Sequence, residues 1–211
     1  MSITVYGYPN TRSLRATWMC EELALDYQYQ LVNLVLGEAH QQPFLKVSAG
    51  GKVPALVTDA GAITESLAIV NYLGSVTPES NIIPTASPFR RAIYDQWTIF
   101  AIAELEQPLW TMGKHKFVLP KEKRVPEVVE TAQWEFQTAL KLFSEGLGDN
   151  DFILGNDFTA ADILLGHCLF WGLAFKQSIE QENLKSYLGR VGARPALVAA
   201  RKRESRALPS E

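Results

Sequence analysis

The sequence predicts two domains: an α/β domain with the element order β-α-β-α-β-β-α, followed by an all-helical domain. In the first 77 residues, short runs with strand-like alternation take turns with runs of helix-like spacing. After residue 89, apolar residues recur only at intervals of three or four, as along one face of a helix. The stretch between them is rich in Pro, Ser and Thr and poor in core residues. We therefore expect domains at 1–77 and 89–211, joined by a linker at 78–88.

The elements of the first domain follow from local patterns. The predicted elements are a strand at 3–6, a helix at 11–24, a strand at 28–34, a short helix at 42–47, two strands between 54 and 64, and a helix at 67–76. The β-α-β start predicts a parallel strand pair with a right-handed crossover, and the closing hairpin adds antiparallel strands.

The second domain is predicted to be helical throughout. The clearest helix covers 125–147, and the others are one from 89 that kinks or ends near Pro108, one at 159–171, one at 183–191, and one that begins at Pro195. Thr159 followed by Asp162 is a variant of the capping box, in which each side chain accepts from an unpaired main-chain N–H. We expect this pair to be structural.

Composition excludes several classes of function. The formal net charge of −3 does not fit a nucleic-acid-binding surface, which needs a strongly basic patch. No apolar run approaches the roughly 18 residues of a membrane span, and no signal sequence is visible, so we expect a cytoplasmic protein without membrane partners. Cys20 and Cys168 lie in apolar helical patterns with no CxxC or Cys/His cluster, which predicts free buried thiols and no metal site.

The stretch from Gly51 to Ser66 carries the first functional signal. Pro54 has no N–H and suits the start of a strand, and an X-Pro bond in a tight turn can be cis. Such a turn leaves the main chain of Val53 free to pair with a peptide-like ligand. Ser66 is predicted to cap the next helix, whose N-terminus favours an anion, and the Glu65 carboxylate stands beside it. The alternative, that these residues only start a strand and cap a helix, is equally open here.

The motif Gly-Lys-Val-Pro-Ala-Leu at 51–56, followed by Glu65-Ser66, resembles the glutathione-binding half of the cytosolic glutathione transferases, including their bacterial members. The capping motif at 159–162 resembles that of the same family's central helix, so the similarity spans the chain. The resemblance implies a thioredoxin-like first domain, glutathione as co-substrate without a prosthetic group, and a homodimer. It also implies attack of the glutathione thiolate on an apolar electrophile, or peroxide reduction or isomerisation. A non-catalytic glutathione-binding or protein-interaction member of the fold is the alternative.

Such an enzyme lowers the pKa of the bound thiol with a hydroxyl near the start of the first helix. The candidates, in the order we expect, are Thr11, Asn10, Ser13 and then the tyrosines Tyr8 and Tyr6. Capping of the helix by Asn10 or Thr11 is the structural alternative. No cysteine stands at 10–13, and Cys20 lies about two turns into the helix, which disfavours thiol–disulfide exchange through an enzyme cysteine.

The resemblance implies further ligand positions. It assigns main-chain pairing to Val53, the γ-glutamyl group to Glu65 and Ser66, and the glycine carboxylate to Lys52 and His40. The other expected glutathione contacts are Tyr8, Arg12 and Pro54. The electrophile pocket is expected between the domains, with Trp110, Met112, Phe117 and Trp171 as its candidate lining.

Overall fold

The computed structural model describes residues 2–208 and has the element order expected for the first half of the chain. The strands are β1 (Ile3–Gly7), β2 (Gln28–Leu31), β3 (Ala55–Thr58) and β4 (Gly61–Thr64), and the helices among them are α1 (Ser13–Glu22), the one-turn α2 (Gln42–Leu45) and α3 (Ser66–Ser75). The sheet order is β2-β1-β3-β4. β1 runs parallel to β2 and antiparallel to β3, and β3 pairs antiparallel with β4, so the parallel crossover and the closing hairpin are both present.

The rest of the chain is helical, as expected. Its helices are α4 (Pro88–Phe100), α5 (Gln107–Gly113), α6 (Val128–Leu147), α7 (Ala160–Ala174), α8 (Glu182–Gly192) and α9 (Pro195–Arg206). The expected break near Pro108 takes another form: α4 continues through a π-helical segment, Ala101–Glu106, directly into α5. Pro108 lies in the first turn of α5, directly after the π-helical segment, and its missing N–H removes one donor from this continuous helix.

The described residues form two compact units, one of residues 2–83 together with 192–208 and the other of residues 84–191. The sequence suggested a linker at 78–88 and a last helix that belongs to the helical domain. In the structure, α9 instead packs on α1 in the first unit. Arg194, just before α9, donates two hydrogen bonds to Glu22 at 2.5 and 2.6 Å, and Arg203 donates to Glu21 at 3.0 Å.

The second unit is organised around the predicted capping box, which is present at the start of α7. The Asp162 carboxylate is buried and accepts from the main-chain N–H of Thr159 at 2.8 Å. It also accepts from the Ile153 N–H at 3.0 Å and the Tyr187 hydroxyl at 2.9 Å. Burial raises the pKa of Asp162, and these hydrogen bonds act against that rise. The Asp162 side chain thus connects three parts of this unit: the loop at Ile153, the N-terminus of α7, and α8 through Tyr187.

Cys20 and Cys168 are both buried thiols, as expected. Within residues 2–208, no helix is both long and apolar enough to cross a membrane.

Candidate functional site

The strand register brings the predicted site residues of the first unit to one end of the sheet. Tyr6 near the end of β1 lies opposite Ala55 at the start of β3, and Ala55 lies opposite Thr64 at the end of β4. The segments that follow β1, precede β3 and follow β4 therefore meet at the same edge. These segments carry the hydroxyl candidates, the Val53–Pro54 turn and the Glu65–Ser66 pair.

The Val53–Pro54 peptide bond is cis, the geometry that the sequence left open. Pro54 is buried, and the half-buried Val53 side chain packs on an apolar cluster that includes Phe44 and Ala55. Among residues 2–208, none bonds to the main-chain N–H or C=O of Val53. Its side chain is anchored while its main chain remains available, which is the arrangement needed to pair with an extended peptide.

The Glu65–Ser66 pair differs from the expected cap. Glu65, not Ser66, holds the N-cap position of α3, and its φ of +67° lies in a region that residues other than glycine seldom adopt. Ser66 is the first helical residue and is only 6 % exposed. Its hydroxyl oxygen accepts a hydrogen bond from Nη1 of Arg15 at 3.1 Å. The Glu65 side chain is exposed at the mouth of the helix.

A cluster of hydroxyl groups lies at the start of α1. The Thr11 and Ser13 hydroxyls both donate to the Tyr8 carbonyl, at 2.6 and 2.7 Å, and their oxygens are 2.9 Å apart. The Ser13 oxygen also accepts from the Tyr8 N–H at 3.1 Å. Ser13 is completely buried, whereas Thr11 is half-buried, so Ser13 is enclosed behind Thr11. This placement disfavours Ser13 as a direct donor to a bound thiol.

The Thr11 oxygen also accepts the Ser13 N–H at 3.2 Å, so Thr11 helps to cap α1 as the structural alternative required. Asn10 is exposed and has a φ of +60°, which makes it a turn residue. Arg12 is half-buried at the N-cap position of α1.

The loop that carries Lys52, expected at the glycine carboxylate, packs against His40 at Gly51. His40 ends a short 3-10 turn, and its Nδ1 lies 2.9 Å from the point where a Cβ on Gly51 would stand. Gly51 has a φ of +59° and precedes Lys52, so a side chain at 51 would be strained and would collide with the imidazole. The Ser48 hydroxyl donates to the Lys52 carbonyl at 3.0 Å and holds this loop. Lys52 and His40 are both exposed.

Sequence reasoning missed two buried charged residues near this edge. Arg15 has no exposed surface, whereas the sequence pattern indicated only that it lies in the first helix. Glu204 on α9 is 2 % exposed and accepts from the Thr17 hydroxyl at 2.9 Å. Burial raises the pKa of Glu204 to about 7, and the hydroxyls of Thr17 and Ser13 lower it in part. Glu204 shares the spacing of the buried Leu197 and Ala200, which is the signal that could have placed it inside.

The aromatic candidates belong to the second unit. The Trp110 and Trp171 ring centroids lie 6.5 Å apart, and Phe175 lies 5.7 Å from Trp171 and 5.8 Å from Phe117. Phe117 is 59 % exposed, and the two tryptophans are half-buried. Met112 has no exposed surface, which places it in the core of this unit instead of at the surface expected for a pocket wall.

The first-unit cysteine does not fit redox chemistry. Burial raises the pKa of the Cys20 thiol to about 12, so the thiolate that exchange requires is not formed near neutral pH. Burial thus adds a second argument, besides its position in α1, against exchange through Cys20.

Comparisons with known proteins assign both halves of the chain to one family. The family model for the N-terminal domain of glutathione S-transferase matches residues 1–75, and the model for the C-terminal domain matches residues 107–195. Glutathione S-transferase GstA of Escherichia coli O157:H7 is 27 % identical, over 89 % of this chain and 91 % of that protein. The disulfide-bond oxidoreductase YfcG of Escherichia coli K12 is also 27 % identical, over 92 % of each.

Solved structures give the same result. The crystal structure of a glutathione transferase from Methylococcus capsulatus superposes with a TM-score of 0.85 at 28 % identity, over 96 % of this chain and 98 % of that one. These relatives support glutathione transferase chemistry or a related glutathione-dependent activity. The chain belongs to the glutathione S-transferase family, as a member of its bacterial type.

Proposed function

We propose that this protein is a glutathione transferase that stabilises the thiolate of bound glutathione for attack on an apolar electrophile. The observation that supports this most directly is the convergence at one end of the sheet. A free peptide main chain at Val53, an exposed carboxylate at Glu65, a hydroxyl at a helix N-terminus at Ser66 and the half-buried hydroxyl of Thr11 share that edge. Glutathione presents a matching peptide, ammonium, carboxylate and thiol.

In this proposal each part of the tripeptide has its own partner. The Val53 main chain pairs with the cysteinyl residue, and Glu65 binds the γ-glutamyl ammonium. Ser66 and the first turn of α3 bind the γ-glutamyl carboxylate, because main-chain N–H groups there lack helical partners. Lys52 and His40 neutralise the glycine carboxylate. The remaining proposed contacts are Tyr8, Arg12 and Pro54.

Thr11 is our first candidate for activating the thiol, because its hydroxyl is less enclosed than that of Ser13 and its side chain is held more firmly than that of exposed Asn10. A free thiol has a pKa of about 8.5, and a hydrogen bond to a charged group contributes roughly 1.5–3 kcal/mol. One donated hydrogen bond therefore lowers the pKa of the thiol by about one to two units. Only a shift toward two units brings the pKa of the thiol below 7 and makes the thiolate the main form at neutral pH.

One observation favours the alternative, a member that binds glutathione with little catalysis. The Thr11 hydroxyl already donates to the Tyr8 carbonyl at 2.6 Å. A hydroxyl has one proton, so a thiolate must compete with that carbonyl for it. If the Tyr8 carbonyl keeps this proton, the protein is expected to bind glutathione without lowering the pKa of its thiol.

The test is the ultraviolet absorbance of the glutathione thiolate, titrated with pH for free glutathione and for the wild-type complex. The same titration is made with Thr11→Val, which removes the hydroxyl at nearly constant volume, and with Thr11→Ser, which keeps it. Wild type and Thr11→Ser are expected to lower the pKa of the thiol by about one to two units, and Thr11→Val to abolish most of that shift.

Each other outcome assigns the role elsewhere. If Thr11→Val keeps the full shift, Asn10 or Tyr8 is the donor. If wild type binds glutathione without lowering the pKa of its thiol, the alternative of a glutathione-binding protein with little catalysis is supported instead. Absence of binding in wild type contradicts the proposed site itself.

We extend the proposal to the other partners. A flat aromatic electrophile suits the ring cluster of Trp110, Trp171 and Phe117, which we propose lines its pocket, because stacked rings favour such a ligand. By family likeness we also propose a cytoplasmic homodimer that acts in detoxification, with size-exclusion chromatography coupled to light scattering as the measurement of its assembly.

A further inference from the structure

The contact between Arg15 and Ser66 fixes the direction of a hydrogen bond. Arg15 has no exposed surface, Ser66 is 6 % exposed, and Nη1 lies 3.1 Å from the serine oxygen. A guanidinium can only donate hydrogen bonds. The Ser66 oxygen therefore acts as the acceptor in this contact, whatever else Arg15 binds.

The serine's own proton is then left to point elsewhere. Within the described range 2–208, no acceptor for this proton is found, although the side chain is almost entirely buried. Ser66 is also the first residue of α3, a helix of ten residues whose first N–H groups lack helical partners. A hydroxyl proton and main-chain N–H groups thus both favour a negative ligand at one point.

We propose that Arg15 is a positioning residue: it holds the Ser66 oxygen so that the hydroxyl donates its proton to the γ-glutamyl carboxylate of glutathione. This inference rests on the glutathione site proposed above. Arg15 lies behind Ser66, in the interior, and acts on the ligand through the serine.

Lysine is a poor replacement in this role. The guanidinium is planar and its donors have fixed directions, whereas a lysine ammonium is a shorter, more strongly hydrated point charge. Arg15→Lys therefore keeps the charge and loses the geometry. Arg194→Lys is the matched control, because Arg194 belongs to the same unit, is partly buried and pairs with Glu22 instead of Ser66.

The experiment is calorimetric titration with two probes. One is glutathione, and the other is an analogue with 4-aminobutyryl in place of the γ-glutamyl group, which keeps the amine and lacks the carboxylate. The proteins are wild type, Arg15→Lys, Ser66→Ala, the double variant and Arg194→Lys. Arg15→Lys and Ser66→Ala are each expected to weaken glutathione about ten- to hundredfold and to leave the analogue's affinity unchanged. The double variant is expected to be little weaker than either single one, and Arg194→Lys to match wild type.

The inference is overturned if Arg15→Lys weakens the binding of both probes equally. It is also overturned if the double variant loses glutathione affinity by the full product of the two single-variant factors. A different result contradicts the underlying site: wild type that binds the two probes equally well has no carboxylate subsite. Should Arg15→Lys not fold, side-chain nitrogen NMR of wild type replaces it. The Arg15 guanidinium signals are then expected to shift with glutathione and not with the analogue, and equal shifts with both overturn the inference.

Discussion

Raising the pH through neutrality is expected to destabilise the first unit because of one buried carboxyl group. Glu204 is 2 % exposed, and burial raises its pKa from 4.5 to about 7. The folded-state pKa lies above the unfolded one, so the protonated form is favoured by folding. Its stabilising contribution is complete below about pH 4.5 and is lost as the pH rises through 7. A difference of about 2.5 units corresponds to about 3 kcal/mol in the free energy of unfolding.

The groups around Glu204 do not titrate in the same window. Thr17 and Ser13 face it from α1 with hydroxyls, and Arg203 on its own helix pairs with Glu21. Tyr29 on β2 also faces it, and burial raises the pKa of that phenol above its usual value, so Tyr29 stays neutral. The pH dependence assigned to this cluster therefore belongs to Glu204.

The assay is urea unfolding from about pH 5 to about pH 8.5, for wild type, Glu204→Gln and Glu21→Gln. Glutamine can keep the hydrogen bond from Thr17 and cannot ionise, so Glu204→Gln is expected to lose about 3 kcal/mol less than wild type over this range. Glu21→Gln removes another carboxylate that binds α9, and it is expected to keep the wild-type pH dependence. Identical pH dependence in wild type and Glu204→Gln refutes the reasoning.

Two further predictions concern the helix starts. Thr159→Ala removes a buried cap and a donor to Asp162, and we expect a loss of about 1 kcal/mol or somewhat more, seen as a lower melting temperature. Ser87→Ala, at the partly exposed cap of α4, is the control and is expected to lose less; an unshifted melt of Thr159→Ala contradicts the role of the capping box. Glu65→Gly relieves a φ of +67° and is expected to unfold no more easily than wild type, while binding glutathione about tenfold more weakly in calorimetry. Unchanged affinity in Glu65→Gly excludes that carboxylate from the site.

The sequence allowed much of the fold to be predicted because the signals involved are local. Alternation identified the strands, the absent N–H of Pro54 marked a strand start, and the Thr159–Asp162 spacing identified the cap of α7. The π-helical segment Ala101–Glu106 has no such local signal. The positive φ of Glu65 was missed for a related reason, because Ser66 beside it is the better capping residue by type.

The buried charges were not predictable by the same means. Arginine in a helix normally reaches solvent, but α1 is buried over Ser13 to Cys20 and leaves Arg15 no exposed face. The packing of α3, α9 and β1 on α1 contributes to that environment. No local sequence pattern indicates on which element the last helix packs. The packing of α9 in the first unit was therefore seen only in the structure.

That return has a consequence for biosynthesis. The first unit takes its last helix from the far end of the chain, with residues 84–191 inserted in between. A ribosome delivers α1 long before α9, so the nascent first unit carries an uncovered helix surface, including Thr17, until α9 has been synthesised. Chaperones that bind incompletely folded chains are expected to bind the uncovered surface of α1 before α9 is made. A fragment that ends at residue 83 lacks α9, so it is expected to keep the α1 surface exposed and to be prone to aggregation.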